Sequence, residues 1–171
     1  MFIDETSAFV GQSRPYGWAA SGERLYDSEP KGKKTRVSLV AAVSLGGTMT
    51  EQALLVSDSV NQNAFLYFLE FTLLPTLTEG SVLVMDNWSV HHGEAVRDLA
   101  ERFGCELLYL PTYSPDLNPI EHLFAQLKMF VKALRPNTSD TLTAVFGEAL
   151  TIVSPQNVRN AFAHCGYLEA Q

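Results

Sequence analysis

Three segments of the chain carry acidic residues at positions where packing alone does not require them. Asp4 lies inside a strand-like apolar run at residues 2–6, and Asp86 directly follows a second apolar run at residues 82–85. Glu121 stands where a turn-rich segment becomes a helix. If these carboxylates converge, they form a site for divalent metal, and hard oxygen ligands select magnesium or manganese over zinc. Two such ions support the cutting or joining of phosphodiesters.

Each acid also has a structural interpretation that needs no catalysis. Asp is disfavoured inside strands, so Asp4 can belong to an edge position that faces water. Asp86 fits a turn, although ligand groups in α/β proteins gather at the carboxyl ends of strands. Glu121 is the third helical position after Asn118, where it would complete a capping box. Because neighbouring strand residues point to opposite faces, Glu5 cannot face the same site as Asp4.

A row of basic residues accompanies Glu121 on its helix. Lys128, Lys132 and Arg135 follow Glu121 by 7, 11 and 14 positions. At about 100° per residue, all four lie along one ridge. The ridge suits a phosphate backbone that leads away from a metal site, and it equally suits a solvated face whose cations favour the helix C-terminus.

Two other polar motifs are weaker. Residues 31–35 resemble a phosphate loop only superficially, because Asp27 stands in place of the upstream glycine. We interpret this region as a basic hairpin tip, with three candidate DNA contacts: Lys33, Lys34 and Arg36. His91 and His92 diverge by about 100° if helical, which makes a poor chelate, so we expect at most one of them to orient the site.

Composition and charge limit the possible functions. The 171 residues, 46% of them hydrophobic, suffice for one domain with a sizeable core. Twelve basic against 19 acidic residues give a net charge of −7, the wrong sign for holding nucleic acid with a broad basic surface. Two cysteines without metal-type spacing indicate a reduced intracellular compartment. We find neither a signal-peptide pattern nor an apolar run approaching 18 residues.

The apolar patterns predict strands first, and then helices and strands in alternation. Strands are predicted at residues 1–10, 15–20, 36–46, 50–57 (at a sheet edge), 81–85 and 106–110. Helices are predicted from residue 61 to a stop near Pro75, and at 92–103, 118–135, 139–152 and 155–164. This order implies an α/β layer architecture in which helices pack on a mixed sheet.

Three motifs together resemble the DDE transposases of the insertion-sequence 630 and mariner superfamily. The motifs are Phe-Ile-Asp-Glu-Thr at 2–6, Met-Asp-Asn at 85–87 followed by His91, and Leu-Pro-Thr-Tyr-Ser-Pro-Asp-Leu-Asn-Pro-Ile-Glu at 110–121. The 34 residues between Asp86 and Glu121 also match that family. Thr112 replaces a usual second proline and Phe124 a frequent tryptophan, and both differences are conservative.

The resemblance implies a ribonuclease-H-like fold, in which a mixed five-stranded sheet has three antiparallel strands, then two parallel ones, with helices on both faces. It implies that Asp4, Asp86 and Glu121 are catalytic metal ligands, supported by Asn87 and His91. The implied cofactor is Mg²⁺, for which Mn²⁺ can substitute, at two ion positions. The implied reaction is hydrolysis at transposon ends, followed by attack of the freed 3′-hydroxyl on target DNA, usually at a TA dinucleotide.

The resemblance also sets expectations for domains and partners. Residues 1–171 are interpreted as a single catalytic domain that lacks the family's N-terminal helix-turn-helix modules, in agreement with the acidic charge. The expected partners are DNA, a second copy of the chain in a homodimer and a separately encoded helix-turn-helix portion, in the bacterial cytoplasm or nucleoid. The alternatives are a non-catalytic remnant that mediates dimerisation or DNA docking, and another ribonuclease-H-like nuclease.

Overall fold

Five strands form one mixed sheet in the computed structural model, which describes residues 1–14, 16–26, 35–50 and 52–168. The strands are β1 (Phe2–Phe9), β2 (Arg36–Val43), β3 (Ala53–Ser57), β4 (Val82–Met85) and β5 (Glu106–Tyr109). Their order is β3-β2-β1-β4-β5. The pairs within β1–β3 are antiparallel, while β1–β4 and β4–β5 are parallel. The predicted sheet is therefore confirmed.

Helices cover both faces of this sheet, as predicted. The helices are α1 (Gln62–Tyr67), α2 (Glu94–Arg102), α3 (Pro119–Leu134), α4 (Ser139–Thr151) and α5 (Pro155–His164). The chain of α1 continues as a π-helical turn, Phe68–Leu73, and a 3₁₀ turn, Leu74–Thr76. Two more 3₁₀ turns, Ser89–His92 and Pro115–Leu117, follow β4 and β5. No helix in the described ranges combines the length and hydropathy needed to cross a membrane.

Two apolar cores lie on opposite sides of the sheet because strand side chains alternate. β2 illustrates this, since Leu39 belongs to one core and Val40 to the other, and both are fully buried. The first core packs the sheet against α3, with α4 and α5 on α3. The second core packs it against α1, its π-helical continuation and α2. The helix α3 consequently lies on the β1 face from which Asp4 projects.

The junction of β1 and β4 is short. The two strands pair at a single position, Phe2 with Val84, and β4 ends at Met85. β1 continues to Phe9 without a strand on that side in the described part of the chain. The two strands therefore separate just beyond this pair. Asp86 lies directly after β4 at this point, and Asp4 lies two residues beyond Phe2 on β1.

Some boundaries differ from those predicted. The strand predicted at 15–20 is wrong for residues 16–20, which form no regular structure, and Tyr16 and Trp18 stand out in solvent without a sheet partner. The helix predicted at 92–103 is divided, because extended Gly93 separates a 3₁₀ turn from α2. The edge strand predicted at 50–57 is confirmed as β3, although it begins at Ala53.

The packing of α3 can be tested with two substitutions two residues apart. Leu127 is fully buried in the first core, so Leu127→Ala should lower the free energy of unfolding by about 3 kcal/mol through lost burial and a cavity. Met129, 66% exposed on the same helix, is the matched control, and Met129→Ala should change it by less than about 0.5 kcal/mol. Urea denaturation measures both, and equal losses would contradict the assigned helix face.

Candidate active site

The structure brings the three predicted acids to one cleft at the carboxyl end of β4. The cleft has a volume of about 340 Å³. Its walls include Asp4 from β1, Asp86 after β4 and Glu121 from the first turn of α3. Residues 110–115, which lead from β5 toward α3, and Trp88 close the remaining sides. Acids that are far apart in the sequence therefore share one solvent-accessible space.

Asp4 is the most buried of these acids. It is only 7% exposed. Its Oδ1 accepts a hydrogen bond from the Glu5 backbone N–H at 2.7 Å, and its Oδ2 accepts one from Asn118 Nδ2 at 2.8 Å. Burial, followed by the negative charge of Glu121, raises the pKa of the Asp4 carboxyl to about 8, against the opposing effect of the Glu5 N–H. The cleft therefore disfavours the charged form of Asp4 unless a cation compensates it.

Asn118 begins α3, but the capping box suggested by the sequence is wrong. The Asn118 side chain accepts no hydrogen bond from a backbone N–H of the helix, and its Nδ2 donates to Asp4. The Glu121 N–H donates instead to the Asn118 backbone carbonyl at 3.2 Å. The Asn118 Oδ1 atom is buried without a hydrogen-bond partner in the described residues. The start of α3 is thus fastened to β1 through an acid of the cleft.

Asp86 is held from one side only. Its Oδ1 accepts a hydrogen bond from the Trp88 backbone N–H at 2.9 Å and lies 2.8 Å from Nδ1 of His91. Its Oδ2 accepts no hydrogen bond from the described part of the chain. The hydrogen bond from His91 is the main cause that lowers the pKa of Asp86 below its ordinary value. Asp86 is therefore a fixed, charged carboxylate with one oxygen available to a ligand.

His91 joins Asp86 to a second carboxylate, that of Glu5. The imidazole is fully buried, and its Nε2 lies 3.0 Å from Glu5 Oε1. Burial alone would lower the pKa of His91, but the hydrogen bonds to Asp86 and Glu5 prevail and raise it to about 10. The ring also packs against Phe65 and Trp88. A buried imidazolium therefore lies between two acids.

Glu5 contributes to the site in a way that was not predicted from the sequence. Alternation along β1 places Glu5 on the face opposite Asp4, and its side chain does lie with His91 rather than in the cleft. The same alternation that excluded Glu5 from the cleft could have identified it as a partner for a histidine on the other face. Two adjacent residues of β1 thus serve the site from both sides of the sheet.

Asn87 connects the ends of the two parallel strands. Its Nδ2 donates to the Leu110 carbonyl at 2.6 Å, and its Oδ1 lies 2.9 Å from His92 Nε2. The His92 ring in turn stacks on Tyr109, with centroids 4.1 Å apart. These contacts fix the course of the segment that carries Asn118 and Glu121 into the cleft.

The basic residues predicted from the sequence to contact DNA lie in several places, whereas the three acids share one cleft. Lys128 and Arg36 line a second cavity that adjoins the cleft. Lys132 lies one helical turn beyond Lys128, and Arg135 ends α3 in a left-handed conformation with φ of 48°. Two further candidates lie outside the described residues: Lys33 and Lys34.

The acids are near one another without forming a closed cage. Among the described residues, no three side chains of His, Cys, Asp or Glu stand close enough to enclose a metal ion. Asp4 nevertheless experiences the charges of Glu121, Glu5 and Asp86. The cleft gathers negative charge that its own residues only partly neutralise.

The sheet order β3-β2-β1-β4-β5, with helices on both faces, defines a ribonuclease-H-like domain. Residues 1–143 match the family model of the DDE superfamily endonuclease, and the chain belongs to that family. The proteins similar to this chain are transposases, two of them from nematodes and one, Mos1, of known structure.

Two transposases from nematodes are similar in sequence. The Tcb2 transposase of Caenorhabditis briggsae is 33% identical over 89 residues, which cover 48% of this chain and 32% of that protein. The Tc1 transposase of Caenorhabditis elegans is 37% identical over 67 residues, which cover 39% of this chain and 24% of that protein. The chain therefore corresponds to a minor part of these relatives' length.

Solved structures of the Mos1 transposase share the fold. The Mos1 strand transfer complex gives a TM-score of 0.75 at 22% identity, over 97% of this chain and 52% of the Mos1 chain. The mariner Mos1 paired end complex with Mg also gives 0.75, at 20% identity, over 96% of this chain and 52% of that chain. At such identities the likeness establishes the fold.

The raised pKa of Asp4 makes the stability of the metal-free domain depend on pH. The carboxyl ionises near 3.8 when unfolded and near 8 when folded, so stability is lost as pH rises between these values. In chelating buffer, Asp4→Asn should therefore melt several degrees above the wild type at about pH 8, with a smaller gain at about pH 5. Thermal denaturation at both pH values measures the difference in Tm between Asp4→Asn and the wild type.

Asp98→Asn, at an exposed position on α2, is the control for Asp4→Asn and should give no gain that grows with pH. An Asp4→Asn variant less stable than the wild type at about pH 8 would contradict the assigned burial of Asp4.

The contacts of His91 predict a large effect on stability. His91→Ala removes the cation between Glu5 and Asp86 and should lower the free energy of unfolding by about 3 kcal/mol at neutral pH. The neighbouring His92→Ala, which loses one hydrogen bond and a ring contact, should lower it by about 1 kcal/mol. Chemical denaturation compares the two, and a smaller loss for His91→Ala would refute the bridging role.

Proposed function

We propose that this chain is the metal-dependent catalytic part of a transposase, which hydrolyses phosphodiesters at transposon ends and joins the freed 3′-hydroxyl to target DNA at TA sites. The observation that carries this proposal is the convergence of Asp4, Asp86 and Glu121 on one open cleft. A purely structural role for these acids is unfavourable, because burial and the negative charge of Glu121 raise the pKa of Asp4 to about 8 and so oppose its charged form.

The donor set of the cleft fits Mg²⁺ or Mn²⁺. All three candidate ligands are carboxylates, which hard divalent ions prefer. His91 is unsuited to bind an ion, since both of its ring nitrogens contact carboxylates. Asp86 has an available oxygen, and the carboxylate of the exposed Glu121 has no hydrogen-bond partner in the described residues. We expect Glu121 to adjust most when an ion binds.

The chain's own residues would prepare the cleft for the reaction. Asn118 fixes Asp4, while His91 and the Trp88 N–H fix Asp86, so two of the three ligands are oriented in advance. When bound, two metal ions would activate the attacking oxygen and stabilise the leaving oxygen. The partly exposed indole of Trp88, on the wall of the cleft, is suited to stack on a base of the bound strand.

The proposed activity needs partners outside this chain. The Mos1 neighbours include a strand transfer complex and paired end complexes, which supports DNA as the partner and a dimer as the working assembly. We propose that helix-turn-helix modules outside residues 1–171 recognise the transposon ends, since the net charge of −7 disfavours broad DNA binding by this domain. Its place of action would be the bacterial cytoplasm, at the nucleoid.

A nicking assay tests the proposed chemistry. Supercoiled plasmid is incubated with the chain and Mg²⁺ or Mn²⁺, and open-circle product is measured. Asp86→Asn should reduce the nicking rate by more than about 100-fold, because it removes a metal ligand held in place by His91. Asp98→Asn, an identical change on α2, should leave the rate unchanged.

Calorimetric titration with Mn²⁺ separates catalysis from a docking role. Wild type should bind Mn²⁺, and Asp4→Asn should weaken that binding at least about tenfold. If the wild type neither nicks DNA nor binds Mn²⁺, or if Asp4→Asn binds Mn²⁺ equally well, the chain is a non-catalytic module and the proposal fails.

A further inference from the structure

A second cavity follows the open edge of β1 beyond the catalytic cleft. β4 pairs with β1 only at Phe2, so no described strand covers the edge of β1 from Glu5 to Phe9. A cavity of about 390 Å³ runs along this edge. It shares Trp88 and Glu121 with the cleft, so the two spaces adjoin. We refer to this second cavity, between β1 and Lys128 of α3, as the edge groove.

The edge groove is lined by cations and hydroxyls. Lys128 borders it from α3, and Arg36 borders it from the start of β2. Three serines also line it: Ser7, Ser38 and Ser59. The guanidinium of Arg36 contacts Ser59 Oγ and, at 3.5 Å, the carboxylate of Asp58, which is 85% exposed. Such an exposed ion pair is weak, so Arg36 can still serve an anion.

Two acids also border the edge groove, and each is either paired or lies at the end next to the cleft. Glu5 is engaged by the buried imidazole of His91 at 3.0 Å. Glu121 lies at the end where the groove meets the cleft. The part of the groove away from the cleft is therefore basic, although the whole chain carries a net charge of −7. Such local reversal of charge is typical of a site for an anion.

An independent observation concerns Thr6, which lines the same groove. Thr6 is 5% exposed, and its Oγ1 is buried without a hydrogen-bond partner in the described residues. A buried hydroxyl left unpaired destabilises a folded protein by about 1–3 kcal/mol. An acceptor oxygen of a ligand in the edge groove would supply the missing partner.

We propose that the edge groove binds the sugar–phosphate backbone of the DNA strand next to the phosphodiester held in the catalytic cleft. This inference rests on the proposed function, because it assigns the groove to the same substrate. Lys128 and Arg36, which both line the groove, bind phosphate oxygens, and the hydroxyl of Thr6 donates to another oxygen of the strand backbone. Since backbone atoms are the same for every base, these contacts position the strand without reading its sequence.

Binding is tested separately from catalysis, in metal-free buffer. A fluorescein-labelled DNA duplex is titrated with the chain at low salt in the presence of EDTA, and fluorescence anisotropy gives the Kd. Lys128→Gln should raise the Kd about fivefold and reduce the slope of log Kd against log salt by about 1. The matched control is Arg159→Gln, which makes the same charge change at an exposed position on α5 outside the lining of both cavities and should raise the Kd by less than about twofold.

Substitutions at Thr6 test the groove in a second way. Thr6→Val keeps the shape but removes the unpaired hydroxyl, so it should raise the Tm by a few degrees while weakening DNA binding about threefold. Thr6→Ser keeps the hydroxyl and should bind DNA like the wild type. If Thr6 only packed in the core, Thr6→Val would not be expected to raise the Tm and weaken DNA binding at the same time.

The outcomes distinguish this inference from the proposed function. Equal Kd values for Lys128→Gln and Arg159→Gln, or no measurable binding by the wild type at low salt, would overturn the proposal that the edge groove binds DNA. Asp86→Asn should keep its DNA affinity in EDTA while it loses nicking. If wild type fails to nick but Lys128→Gln selectively weakens binding, the groove stands and the proposed catalysis fails.

Discussion

The single bridge between β1 and β4 is the constraint on which the cleft depends. Parallel pairing at Phe2 and Val84 brings the two strands together, and the end of β4 at Met85 lets them separate at once. Asp4 and Asp86 therefore face a common space instead of being covered by a continuous sheet. A longer β4 would close this space and pair the edge of β1 that the structure leaves open.

The apolar patterns predicted most of the fold, because both faces of the central strands are buried and their periodicity is strong. The acids and their chain order could also be predicted, whereas the contacts that orient them could not. Asn118 looks like an ordinary helix cap, and only the tertiary structure shows its amide on Asp4. Trp18, which is 99% exposed, illustrates the opposite error, since an aromatic residue in an apolar run suggested a strand that has no partner.

Charge at this site opposes folding and favours ligand binding. Burial raises the pKa of Asp4 to about 8, and Glu121 adds like charge nearby. The protein offsets part of this with the buried imidazolium of His91, which serves Asp86 and Glu5 but leaves Asp4 uncompensated. Buried acids with a strongly raised pKa are typical of sites that bind a ligand of opposite charge. The fold tolerates this unfavourable charge because two large apolar cores stabilise the sheet.

The ring of His91 also lies 4.6 Å from that of Phe65, a fully buried residue of α1 in the second core. The orientation of Asp86 is thereby coupled to side-chain packing on the far side of the sheet from α3. Loosened packing around Phe65 would disturb the imidazole before the sheet itself unfolds. Substitutions there are natural candidates for temperature-sensitive variants, in which the orientation of Asp86 is lost on modest warming while the polypeptide stays folded.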